Sequence, residues 1–175
     1  MIIDIADVIE EFPNVEEIQL TKKIKAIEKA VRNYTNNNFM DLKFRTYGKI
    51  ENGKLVLNAY PYFKEKDNIE LSHSLNDGVY TVDCIEQDQI SFVEDARLYD
   101  CDNVMITKVV YPEDVQEGVI NMLKWDLGLR NKVGVKSETI SRHSVTYFDM
   151  DANNSIKGYP ASLLGFLEDY IKARF

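Results

Sequence analysis

Histidine, cysteine, proline and tryptophan are all scarce in this chain. Its 175 residues include 2 His, 2 Cys, 4 Pro and 1 Trp. The two cysteines, Cys84 and Cys101, show no CxxC spacing, and no zinc-binding spacing of Cys and His occurs. We interpret both as free thiols in a reducing cytoplasm, and a disulfide between two neighbouring strands is the alternative.

Long apolar runs are missing as well. No run reaches the roughly 18 apolar residues that a membrane-spanning helix needs, so the sequence predicts no contact with a membrane. The first residues, MIIDIADVIEEF, are acidic where a secretory signal would be basic, so we expect no export.

Basic residues are outnumbered by acidic ones. There are 21 Lys and Arg against 29 Asp and Glu, which gives a net charge of -8. Proteins that grip nucleic acid need a basic footprint, because counterion release drives that binding. The composition therefore disfavours a DNA-binding regulator, but it suits a surface along which DNA slides without sticking, since an acidic wall repels the polyanion.

The hydrophobic periodicity changes twice along the chain and predicts one α+β domain over residues 1–175. Residues 1–40 and 111–175 are expected to form a helical core of about four helices. Residues of about 41–110 read as an inserted antiparallel β meander, because short runs rich in Val, Ile, Tyr and Phe alternate with turn signals. Asn52-Gly53 and Asp77-Gly78 are the predicted tight hairpin turns.

The helical parts carry clear start and stop signals. The spacing of Leu20, Ile24, Ile27, Val31 and Tyr34 gives one helical stripe, and the asparagines from Asn36 onward end that helix. Two more helices are expected to begin near Pro112 and Pro160, since proline fits the first helical turn. Between them, residues 140–148 alternate imperfectly and predict a strand or an extended arm.

Residues with catalytic or metal-binding chemistry form no convincing pattern. No phosphate-binding loop or dinucleotide-binding motif is present, and His73 and His143 stand alone. Asp149 and Asp151 begin like a calcium loop, but the pattern lacks the glycine and the glutamate that such a loop requires. We therefore predict a protein that is not an enzyme and has no cofactor or metal.

The predicted helix after Leu20 carries the one local positive cluster, formed by Lys22, Lys23, Lys25, Lys29 and Arg32. One interpretation is a solvated face opposite the apolar stripe. The other is a charged subunit contact through Lys22, Lys25, Lys29 and Arg32, where the acidic partner is the next copy of this chain.

Three stretches together resemble the head–tail connector (adaptor) family of tailed bacteriophages. The first, Ile24 to Phe39, is similar to the family's early helix, which ends in a Tyr-Thr-Asn-x-x-Phe signature. The second, Tyr111 to Leu127, is similar to its central, Pro-led helix. The third joins a Ser-Glu-x-Ile-x-x-x-Ser-Val-x-Tyr arm to a Gly-Tyr-Pro terminal helix. The β insertion departs from the compact, mostly helical family members.

The resemblance implies a structural virion protein at the head–tail interface, present in the host cytoplasm during assembly. Such adaptors form a ring, typically dodecameric, beneath the portal protein. The ring extends the channel for genomic DNA, which passes without sequence-specific binding, and it docks a tail-side stopper or completion protein. The sequence leaves open whether the free chain is already a ring or a monomer that assembles only on the portal.

The terminal segment, Tyr159 to Phe175, carries more apolar side chains than one docked helix needs. Leu164, Leu167 and Ile171 suffice for its own packing stripe. The remainder predicts a contact with the portal or with a neighbouring subunit, made by Tyr159, Pro160, Leu163, Phe166, Tyr170, Arg174 and Phe175. The alternative is that the whole terminal helix packs within its own subunit. The arm offers a second candidate contact through Ile140, Arg142, Val145 and Tyr147, either as a strand on the next subunit or as a loop.

Two other function classes compete with the connector. One is a small, non-enzymatic binding module that uses the β insertion as a surface for a ligand or peptide. The other is an enzyme with a metal bound by Asp149 and Asp151. The oligomeric state separates the connector from the binding module. A change of thermal stability on adding metal tests for the enzyme.

Overall fold

The computed structural model describes residues 1–58, 63–93, 97–128, 137–140, 143–146 and 155–173. The chain divides into two compact units. The first, here called the barrel unit, comprises Met1–Ile2 and Asn37–Tyr111. The second, the helical unit, comprises Ile3–Asn36 and Pro112–Phe175.

Six antiparallel strands make up the barrel unit. They are β1 (Met40–Glu51), β2 (Lys54–Leu57), β3 (Asn68–Ser72), β4 (Gly78–Glu86), β5 (Gln89–Phe92) and β6 (Cys101–Val109). They close into a barrel in the order β1-β2-β5-β4-β3-β6. The predicted meander is therefore wrong, because β2 pairs with β5 and β6 pairs with both β1 and β3. Closure leaves none of the six strands with a free edge.

The interior of the barrel is filled by aliphatic side chains from all six strands. Leu55, Ile69, Leu71, Ile90 and Ile106 are each 0% exposed. Burial on this scale, at about 1.5–3 kcal/mol for each large aliphatic side chain, is the main source of stability of the unit.

Both ends of the inserted segment lie side by side. The Val110 N–H donates to the Phe39 carbonyl oxygen at 2.9 Å, and the rings of Phe39 and Tyr111 are 5.1 Å apart. The barrel can thus be inserted between two helices of another unit.

The two predicted hairpin turns have different outcomes. Asn52 and Gly53 both have positive φ and join β1 to β2, as predicted. The prediction of a tight turn at Asp77-Gly78 is wrong, because five residues separate β3 from β4. Side chains order that longer loop: the Ser74 N–H donates to Asp77 Oδ1 at 2.7 Å, and Asn76 bonds to the backbone of Tyr99.

The helical unit begins with two single 3₁₀ turns, Ile5–Asp7 and Ile9–Glu11. Helix α1 (Glu17–Thr35) follows. Leu20, Ile24, Ile27 and Val31 of its predicted stripe are buried, as the spacing indicates, and Tyr34 is half-buried. Asn36 ends it with φ 48° and ψ 39°, the left-handed cap that asparagine tolerates.

The rest of the helical unit comes after the barrel segment. It contains α2 (Glu113–Gly128), the hairpin of β7 (Ser137–Ile140) and β8 (His143–Thr146), and the hairpin of β9 (Ser155–Ile156) and β10 (Tyr159–Pro160). A 3₁₀ helix, Ala161–Tyr170, comes last and is called the terminal helix below. The helices α1, α2 and the terminal helix pack on one another.

The predicted fold class, a core of about four helices with an inserted antiparallel β meander, is wrong. The described residues contain three helices longer than one turn, of which one is 3₁₀, and a large six-stranded barrel. Periodicity marked the β segment correctly, but it could not show that this segment would close and become a unit of its own.

Candidate interaction surfaces

The beginning of the terminal segment is built into the helical unit. Tyr159 is 6% exposed and Pro160 is also buried, although both were predicted contact residues. The ring of Tyr159 lies 5.4 Å from that of Trp125 on α2. This aromatic contact fixes the β9–β10 hairpin against α2.

The middle of the segment also packs mostly on its own unit. Leu164 and Leu167 are 3% and 0% exposed, as the predicted stripe requires. The half-buried Phe166 lies over Gly118 so closely that a Cβ built at Gly118 would be 2.5 Å from its ring Cε1 and Cε2 atoms. Leu163 is half-buried.

The end of the segment differs from the predicted stripe. Ile171, expected to face the core, is 49% exposed, whereas the half-buried Tyr170 reaches back to α2. The chain then returns to the end of α1, where the Lys172 N–H donates to the Thr35 carbonyl at 2.8 Å. Arg174 and Phe175 lie outside the described residues.

Tyr170 should ionise at unusually high pH. Its hydroxyl donates to both carboxylate oxygens of Asp114 at 2.9 Å, and this hydrogen bond, with burial and the nearby negative charge, raises the pKa of Tyr170. A raised pKa means that the stabilisation is fully present below the unfolded value of about 10 and is lost as the pH rises through the folded value.

We expect a titration followed by NMR of ring-labelled tyrosine to show Tyr170 ionising at higher pH than in the Asp114→Ala variant. The other tyrosines provide the internal reference. Equal titration of Tyr170 in both proteins would contradict the contact.

The basic residues of α1 do not share one environment. Lys22 and Lys29 are exposed, while Arg32 donates to Glu28 on the same helix at 2.9 Å and Lys25 is half-buried. Lys23 donates to Asp126 of α2 at 2.7 Å, and the Asp126 side chain is only 5% exposed. The cluster is therefore partly structural and partly open to solvent.

A groove runs beside α1 and is called the α1 groove below. It has a volume of about 410 Å³. Its lining includes Lys22, Lys23, Ala26 and Ala30 of α1, together with Lys157 and Tyr159 of the β9–β10 hairpin. The small alanine side chains leave this part of the helix uncovered, and Lys22, Lys23 and Lys157 make the lining basic.

The barrel unit has an apolar surface of its own on β1. Three residues of β1, at positions 42–44, have no partner in the pairing with β6, because the register passes from Asp41↔Lys108 to Arg45↔Thr107. Within this bulge Leu42 is 63% exposed and Phe44 is 41% exposed. A cleft of about 220 Å³ opens between Phe44 and Phe63.

The predicted arm folds back on itself. Its backbone forms the β7–β8 hairpin, in which Ile140 pairs with His143 and Glu138 pairs with Val145. Arg142 and Tyr147 lie outside the described residues, as do Asp149 and Asp151. Part of the predicted arm is therefore a strand, β8, which pairs with β7 and so satisfies part of its own backbone hydrogen bonding.

The described ranges contain neither a disulfide bond nor a candidate metal site. Cys84 and Cys101 are both free and half-buried, on strands β4 and β6 that do not pair with each other. No group of three or more His, Cys, Asp or Glu in the described part of the chain is placed to hold a metal ion.

The α1 groove and the bulge of β1 were both missed by sequence reasoning. The groove needs Lys157, which is distant in sequence from α1, so periodicity alone cannot find it. The available signal was the pair Ala26 and Ala30, two small residues four positions apart and therefore neighbours on one face of α1.

Within the described residues, no helix is long and apolar enough to cross a membrane. Comparison with protein-family profiles and with curated proteins gave no match to the chain.

Proposed function

We propose that this chain is a head–tail connector of a tailed bacteriophage. In this proposal several copies form a ring beneath the portal protein, extend the channel for genomic DNA and dock a tail-side stopper or completion protein. The protein acts in the virion and is not an enzyme.

One observation carries the proposal. The helical stretches that resemble the connector family are far apart in sequence, yet α1, α2 and the terminal helix pack together within one unit. Contacts that join them include the Trp125–Tyr159 ring pair and the Lys172–Thr35 hydrogen bond. The barrel segment, which departs from the family pattern, folds as the other unit.

Charge and burial support the same function. A net charge of -8 suits the wall of a channel, because negative charge repels passing DNA and prevents tight binding. In the terminal segment, Tyr159, Leu164 and Leu167 are used for packing within the unit, while Ile171 is left 49% exposed. We therefore assign the portal contact to the very end of the segment, from Ile171 through Arg174 and Phe175.

The Ile171→Asp variant tests this assignment. We expect it to weaken binding to the portal ring on the order of tenfold or more, since a buried charge at an interface costs binding energy without compensation. The measurement is light scattering of the chain, alone and mixed with the portal ring of the virus that encodes it. The circular dichroism spectrum of Ile171→Asp should match that of the unchanged protein, which would show that the variant is folded.

Leu75→Asp is the matched control. Leu75 is 87% exposed in a loop of the barrel unit, so the same chemical change there should leave portal binding intact. If the unchanged chain does not bind the portal ring at all, the connector function is wrong. If both variants bind as the unchanged protein does, the function can stand but the assignment to Ile171 is wrong.

A second candidate is the small binding module, and the cleft beside the β1 bulge favours it. Phe44 and Phe63 give the cleft apolar walls, and Lys43 and Arg45 add positive charge. Such a cleft could take an apolar group that carries an acidic substituent. A chain that stays monomeric and ignores the portal would give this function precedence.

A further inference from the structure

The α1 groove has the features of a protein-docking site. Its floor is apolar and low, because Ala26 and Ala30 project little from α1, and Tyr159 of the β9–β10 hairpin also lines it. The volume of about 410 Å³ is open to solvent along the helix. A second helix surface could approach α1 closely here, since small side chains allow close helix packing.

The charge of the groove is not neutralised from within. Lys23 is paired with Asp126, but the described part of the chain offers no ion-pair partner to Lys22 or Lys157. Two ammonium groups therefore border an apolar floor in a protein whose net charge is -8. The complementary partner is an acidic surface that carries some apolar area.

The helical unit presents such a surface at the start of α2. Glu113, Asp114 and Glu117 are exposed there, and the exposed Asp169 of the terminal helix precedes Tyr170, whose hydroxyl binds Asp114. We call this set the acidic patch. Tyr170 and Phe166 supply aromatic area beside it.

The groove and the acidic patch lie at opposite ends of α2. Asp126, in the groove lining, and Asp114, in the patch, are 12 positions apart on the helix, which corresponds to about 18 Å. One copy therefore cannot place its own patch in its own groove. Two different, complementary surfaces on one subunit are the requirement for head-to-tail association.

We propose that the α1 groove binds the acidic patch of a second copy of this chain. Lys22 and Lys157 of one subunit would face Glu113 and Glu117 of the next, and the contact would repeat around a ring or along a filament. This inference rests on the proposed function and names the subunit contact that such a connector would use.

Two charge-reversal variants test the contact. The groove variant carries Lys22→Glu and Lys157→Glu, and the patch variant carries Glu113→Lys and Glu117→Lys. Lys23 and Asp114 are left unchanged, because each has a structural partner. Each variant places like charges on both surfaces and should lower self-association on the order of tenfold or more.

A mixture of the two variants should associate again. Each then offers the charge that the other needs, so sedimentation velocity should show alternating oligomers in the mixture and monomers in the separate samples. The control is Lys43→Glu with Lys64→Glu, which makes the same change in net charge on exposed barrel residues. It should associate like the unchanged protein.

Several outcomes would overturn the inference. They are an unchanged chain that stays monomeric at its solubility limit, variants that associate normally, or a mixture that fails to recover. Binding of single-stranded oligonucleotide to the groove, abolished in the groove variant, would favour a nucleic-acid partner instead. Portal binding by a chain with no such self-association would leave the connector function intact and reject only this contact.

Discussion

Replacing Gly48 by alanine is expected to destabilise the barrel unit by about 1–3 kcal/mol. Gly48 is buried on β1, where it pairs with Leu57 of β2 and Val104 of β6. A Cβ at this position would lie 2.6 Å from the carbonyl oxygen of Val56 and 2.9 Å from Cδ1 of Ile106. Because the nearer of these atoms belongs to the backbone, the strands β1 and β2 must move apart to admit one methyl group.

Hydrogen exchange followed by mass spectrometry measures this effect in the relevant strands. In Gly48→Ala, we expect faster exchange of amides in β1, β2 and β6, together with a lower denaturation midpoint. Gly128→Ala is the control, because among the described residues nothing outside its own stretch of α2 lies within 4 Å of the added Cβ. Alanine has a higher helix propensity than glycine, so this variant should be unchanged or slightly more stable. Equal effects of the two substitutions would show that close packing at Gly48 is not the cause.

The features that the sequence predicted correctly are local ones. Leu20, Ile24 and Val31 are buried as their spacing on α1 indicates, and Asn36 caps that helix. The Asn52-Gly53 turn likewise follows from the backbone preferences of its own two residues. Each of these predictions needed only neighbours within a few residues.

Strand pairing could not be predicted in this way. The alternation in β6 shows that one face is buried, but it does not show that β6 pairs with β1 on one side and with β3 on the other. The β1 bulge depends on the same long-range register, and the sequence from Met40 to Arg45 has no glycine or proline that would mark it. Partner choice is decided by the closed barrel as a whole.

The terminal helix shows how a small change in helical period alters which residues face outward. An α-helix would place Leu164, Leu167 and Ile171 on one stripe. The observed 3₁₀ helix has three residues per turn, so Leu164, Leu167 and Tyr170 share a face instead. This explains why Tyr170 reaches Asp114. Ile171 follows the end of the helix in an extended conformation and is left exposed.

Leu167→Ala should therefore have a large effect on folding, with a loss of about 2–5 kcal/mol in the free energy of unfolding. Leu167 is 0% exposed, and its removal would leave a cavity beneath the terminal helix. Ile171→Ala should change the stability by less than about 0.5 kcal/mol, because that side chain is 49% exposed. The lone tryptophan, Trp125, lies in the helical unit, so its fluorescence during urea unfolding reports on this part of the protein.

Portal binding should rank the same two variants in the opposite order. At a temperature where Leu167→Ala remains folded, it should bind the portal ring as the unchanged protein does, since Leu167 does not reach the surface. Ile171→Ala should bind more weakly although it is just as stable, because it removes apolar area that we assign to the interface. A loss of binding in proportion to the loss of stability in both variants would mean that the terminal segment supports the fold alone. The opposite ranking would separate its two roles, with packing carried by the buried 3₁₀ face and docking by the residues that follow it.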